Sequence, residues 1–103
     1  MKEYEGLVII DPSKEESLKE IVNSVASAIT RQNGKIHKEE NWGKQKLAYS
    51  IRKNREGIWY KLEFSIDPAK ITELNKLYRL NSNILRTMIT AKKKPETRVQ
   101  KPG

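Results

Sequence analysis

The chain contains no cysteine and a single histidine, His37. The first absence excludes disulfides, thiolate metal sites and cysteine nucleophiles together, and nothing calls for an oxidising compartment. One histidine with no second ligand at metal spacing gives no metal site, so His37 reads as a solvated strand residue. No apolar run approaches the length of a membrane-crossing helix, and the opening MKEYEG lacks the apolar core of a signal peptide. A soluble cytoplasmic protein is therefore expected. The Glu15-Glu16 pair sits at the first turn of a helix, where carboxylates favour the positive end of the dipole, and no nucleophile and base pair appears elsewhere. Neither an enzyme nor a cofactor is expected.

What is present is charge, unevenly placed. The 103 residues carry a formal net charge of +8, with 36% hydrophobic and 33% charged residues. That length fits one domain with a single core. Residues 1–41 hold six basic and eight acidic residues, whereas residues 42–103 hold fifteen and five. The second half is thus suited to a polyanion, most often nucleic acid. From Lys92 onward, KKKPETRVQKPG has two prolines, five basic residues, one acid and no apolar periodicity. A folded domain over 1–92 and a basic, extended arm over 93–103 are expected.

Apolar periodicity places the elements. Tyr4 to Ile10 alternates as a strand that Asp11-Pro12 stops. Ser13 with Glu16 reads as a capping box, and Leu18, Ile21, Val22, Val25, Ala28 and Ile29 form a helical stripe that Asn33-Gly34 ends. Lys35 to Glu40 resumes extended structure, and Gly43 marks a bulge or bend. A hairpin follows, with Leu47, Tyr49 and Ile51 on its first arm and Ile58, Tyr60, Leu62, Phe64 and Ile66 on its second, all assigned to the core. Asp67-Pro68 opens a second helix whose buried stripe is Ile71, Leu74, Leu77 and Tyr78. Asn81 ends it, and Ile84 to Ala91 is the last strand.

Strand, helix, strand, strand, helix, strand is the ferredoxin-like βαββαβ pattern of the α+β class: a four-stranded antiparallel sheet with two helices on one face. The other face stays open and shows apolar patches in a basic frame, which suits a partner. An RNA-recognition motif would need aromatic residues on its first and third strands, and here Trp59 stands alone. A phosphate hydrolase of this architecture would need a phosphate-cradling loop after the first strand, and Asp11-Pro12-Ser13 has neither glycine nor arginine. A metabolite-binding regulatory module remains as the alternative.

The segment Gly43-Lys44-Gln45-Lys46-Leu47-Ala48-Tyr49-Ser50-Ile51, with Gly34-Lys35-Ile36-His37 and Trp42 before it, closely resembles the signature of the bacterial small-subunit ribosomal protein S-six family. Tyr4-Glu5 and Ile84-Leu85-Arg86-Thr87-Met88-Ile89 resemble it too, so the likeness covers about residues 2–92. Gln45 stands where that family generally has a basic residue, and Ser50 where proline is frequent. The resemblance implies a structural protein of the ribosome. It would bind the central domain of small-subunit ribosomal RNA and pair with the S-eighteen ribosomal protein. On that footing the candidates for RNA are Lys2, Arg52, Lys53, Arg55, Arg86, Lys92 and Lys93, and those for the protein partner are Leu7, Ile9, Trp59 and Met88.

Overall fold

In the computed structural model, which describes residues 1–92, the chain forms strand β1 (Lys2–Ile10), helix α1 (Leu18–Arg31), strands β2 (Lys35–Ile51) and β3 (Asn54–Ile66), helix α2 (Ile71–Leu80) and strand β4 (Ile84–Ala91). The strands make one sheet in the order β2-β3-β1-β4, antiparallel at every pairing. The expected arm from Lys93 onward lies outside the described residues.

Both helices begin in the same way. Asp11 Oδ1 accepts from the Ser13 amide at 2.9 Å, and Asp67 Oδ1 accepts from the Ala69 amide at 2.9 Å. Each aspartate precedes a proline whose fixed φ suits the first helical position, so each opens a short 3₁₀ turn, Pro12–Ser17 and Pro68–Lys70, that leads into its helix. This corrects the expected capping box. Ser13 donates its own hydroxyl to Asp11 at 2.8 Å instead of capping, and the aspartate does that work. At the far end of α1, Asn33 takes a left-handed φ of 65° and stops the helix.

The core lies between the helices and one sheet face. Ile21, Val25 and Ile29 of α1 and Leu74 and Tyr78 of α2 pack on Val8, Ile10, Leu62, Phe64, Ile66 and Ile84. Burying a side chain such as Phe64, which is 1% exposed, contributes about 2–3 kcal/mol. The Tyr78 hydroxyl donates to the Val25 carbonyl at 2.6 Å and so ties the helices together, and burial pushes its pKa up. Leu77, expected in the core, is 38% exposed. The inward stripe of α2 is Leu74 and Tyr78, and Leu77 falls beside it on the groove between the helices' outer surfaces.

Candidate functional site

The β2–β3 hairpin decides what the open face looks like. Its pairing breaks register three times, and the second break falls at Gly43, whose φ of 81° favours glycine. The third break is the largest. Between the pairs Lys46↔Glu56 and Ile51↔Asn54, β2 uses four residues, Leu47 to Ser50, where β3 uses only Arg55. The surplus arches over the sheet. The turn at its end places Arg52 and Lys53 at φ 50° and 69°, both left-handed as a two-residue type I′ turn requires, although neither is glycine or asparagine. Left-handed backbone at such residues costs about 1 kcal/mol each.

Cross-strand register lays the open face out in rows: Trp59, Ile9 and Arg86 nearest the hairpin tip, then Lys61, Leu7 and Met88, then Glu63, Glu5 and Thr90. The last rows are electrically balanced. Lys61 Nζ lies 3.9 Å from Glu5 and 3.6 Å from Glu63, Lys92 lies 2.7 Å from Glu63, and Lys38 lies 2.9 Å from Glu40. The hydrogen bond from Lys92 holds the Glu63 carboxyl below its ordinary pKa. On this face, among the described residues, the positive charge without an ion-pair partner therefore lies at the hairpin end.

At that end, Ile9, Leu47, Ile51, Trp59, Arg86 and Met88 line a groove of about 220 Å³. Three of the four expected partner residues meet there, and Leu7 is half-buried in the adjoining row. Ile9 needs a correction, since it was expected to be presented and is only 3% exposed. It points to the open face, but the arched hairpin covers it. Gly57 approaches so closely that a Cβ there would lie 2.3 Å from Ile9 Cγ2. The same arch corrects the expected core positions of the first arm: Leu47 and Ile51 are half-buried walls of the groove, and Tyr49 is 67% exposed. Nor does Trp59 stand alone. Trp42, 43% exposed, stacks on it with ring centroids 6.4 Å apart and planes 15° apart, and Lys61 lies over the Trp42 ring.

A cationic hollow of about 240 Å³ adjoins the groove, with Arg52, Asn75, Tyr78, Arg79, Arg86 and Thr87 in its walls. Arg52 Nη1 donates to the Ser82 carbonyl at 3.2 Å, which fastens the hairpin tip to the loop before β4. The structure thus brings two expected RNA residues, Arg52 and Arg86, together with Arg79, which the sequence reading passed over. Its signal was a cation in the last turn of α2, two positions before the Asn81 cap. Lys53 and Arg55 line a second hollow, of about 690 Å³, with Lys46 and one carboxylate, Glu56. Lys2 and Lys92 do not join either cluster. Lys2 pairs with Ile66 and the Lys92 amide with the Glu3 carbonyl, at the other end of β1 and about 27 Å away at strand spacing. Lys93 lies outside the described residues.

Fold and face together define a ferredoxin-like domain whose exposed sheet surface is charge-balanced at one end and carries an apolar groove beside cations at the other. Comparison with known proteins is more specific. The family model described as Ribosomal protein S6 matches residues 3–91, and the chain belongs to that family. It is 44% identical over 86 residues to small ribosomal subunit protein bS6 of Chlamydia pneumoniae, covering 82% of this chain and 77% of that one. It is 41% identical over 91 residues to the bS6 protein of Halalkalibacterium halodurans, covering 87% and 96%. The crystal structure of 30S ribosomal protein S6 from Thermotoga maritima superposes with a TM-score of 0.86 at 32% identity, covering 97% of this chain and 98% of that one. The family is one of structural proteins of the small ribosomal subunit, not of enzymes.

Proposed function

We propose that this chain binds the central domain of small-subunit ribosomal RNA together with the S-eighteen ribosomal protein, and acts by assembly. One observation carries the reading: Arg52, Arg79 and Arg86 line a single hollow that shares Arg86 with an apolar groove. Guanidinium groups suit phosphate, which they can engage through two parallel hydrogen bonds, and each phosphate neutralised releases counterions. Lys53 and Arg55 extend the cationic zone along the hairpin. Lys2 and Lys92 would meet RNA only at a separate place, and Lys92 already engages Glu63.

The groove suits a protein, since its walls are aliphatic and aromatic. Met88, 38% exposed, and Trp59 are the anchors; Leu7 contributes beside them, and Ile9 supports them from below.

Mixing experiments test both halves. Met88→Glu places a charge in the groove and is expected to weaken association with S-eighteen at least tenfold without altering thermal unfolding. Undiminished association would remove the groove from the proposal. Failure of the wild-type protein to travel with small-subunit ribosomal RNA and S-eighteen through sedimentation would remove the function itself.

A further inference from the structure

Among the described residues the arched segment of β2 has no partner strand to hold it, yet it carries one side chain that reaches across the face. Tyr49 leaves most of its surface in solvent, and its hydroxyl accepts from Arg86 Nη1 at 3.3 Å, 37 positions along the chain. Its ring lines the edge of the groove but stays largely in solvent and gains little from burial, so the hydroxyl's partner is its one side-chain hydrogen bond among the described residues. That partner has two duties, because Arg86 lines both the groove and the cationic hollow. An arginine side chain left to itself samples many rotamers, and fixing it on binding costs free energy.

We propose that Tyr49 is a positioning residue for Arg86, holding the guanidinium at the junction of groove and hollow so that it is already oriented when phosphate arrives. This rests on the RNA-binding reading above. The geometry fits the division of labour: one Nη1–H goes to the hydroxyl, and the remaining donors of the guanidinium fork are left for phosphate oxygens. Arg52, also in the hollow, is held comparably by the Ser82 carbonyl, so two of the hollow's three arginines are oriented by neutral oxygen acceptors. A carboxylate in either place would have cancelled the charge. A hydroxyl and a carbonyl orient it and leave it positive.

The test is a double-mutant cycle on the full chain. Affinity for a transcript of the small-subunit RNA central domain is measured with S-eighteen present, for wild type, Tyr49→Phe, Arg86→Gln and the double variant. Tyr49→Phe keeps the ring and removes only the hydroxyl, so thermal unfolding should not move. RNA affinity should fall about three- to tenfold, the worth of one hydrogen bond. In the Arg86→Gln background the same change should have no further effect. Wild-type affinity in Tyr49→Phe, alongside a loss in Arg86→Gln, would overturn the positioning role and leave the RNA reading standing. Equal losses from Tyr49→Phe in both backgrounds would also overturn it, since Tyr49 would then act independently of Arg86. Full affinity in Arg86→Gln would overturn the role together with the RNA reading of Arg86.

Discussion

Arg52 Nη1 donates to the carbonyl of Ser82, 3.2 Å away and thirty positions further along the chain. Through this bond the tip of a long hairpin is fastened to the loop between α2 and β4. It also brings Arg52 into one hollow with Arg79 and Arg86. The tip needs holding because its turn is intrinsically poor, with two bulky cations in left-handed backbone. Strain kept at a surface turn is a mark of a constraint other than stability.

Replacing Lys53 by glycine should therefore stabilise the protein. Relief of left-handed strain at φ 69° outweighs the added freedom of glycine in the unfolded chain, for a net gain of up to about 0.5 kcal/mol. Chemical denaturation checks this as a rise in midpoint. The same variant should bind RNA more weakly, since it removes a cation from the hairpin.

The close approach of Gly57 to Ile9 predicts a coupled pair. Gly57→Ala drives a Cβ to 2.3 Å from Ile9 Cγ2 and should destabilise by about 1–3 kcal/mol. Ile9→Ala removes that methyl, so Gly57→Ala should cost clearly less in its presence. Additive losses in denaturation would show that Ile9 yields without strain.

These positions show where the sequence was legible. Alternation along β3 put Ile58, Tyr60, Leu62, Phe64 and Ile66 inward, and all five are buried. Asp67-Pro68 announced α2, because cap chemistry is local. The βαββαβ pattern with a four-stranded antiparallel sheet followed from the succession of apolar periods and one apolar stripe per helix. Strict alternation failed on the first hairpin arm, where Leu47, Tyr49 and Ile51 were expected in the core. The break between Lys46 and Ile51 adds residues to one strand only, and parity carries no information across a bulge. The burial of Ile9 follows from the same arch, a contact between β1 and a segment some forty residues away. Trp42 was missed as the stacking partner of Trp59 for a related reason, since the bulge at Gly43 re-aims the chain beside it. At the candidate site the residue types were legible, and their grouping was not. Lys2 and Lys92 belong to the far end of the sheet, and Arg79 was hidden in a helix read for its apolar stripe.

The balanced far end of the open face gives a pH prediction. Lys92, aided by Lys61 and Lys38, depresses the Glu63 carboxyl, and the Trp42 indole N–H and Lys38 depress that of Glu40. A depressed carboxylate contributes stability that is present above its ordinary value of 4.5 and is lost as pH falls through the lower folded value. The same pair raises Lys92 above 10.5, and that contribution disappears only as pH climbs through the raised value. Glu63→Gln should therefore reduce the loss of stability on acidification below 4.5 and leave a smaller effect of pH there. Lys92 is exposed and Glu63 only half-buried, so solvent screens the pair and the change is modest. Urea midpoints across the acid range, compared with wild type, provide the check.

Contact between phosphate and the three arginines of one hollow is read out by the salt dependence of RNA binding. Affinity for the central-domain transcript with S-eighteen is measured across a salt series for wild type and for Arg52→Gln/Arg79→Gln/Arg86→Gln. The triple variant is expected to bind more weakly, with a slope of log affinity against log salt shallower by about two to three, near one for each phosphate contact removed. An unchanged slope with unchanged affinity, in a variant that unfolds as wild type does, would contradict it.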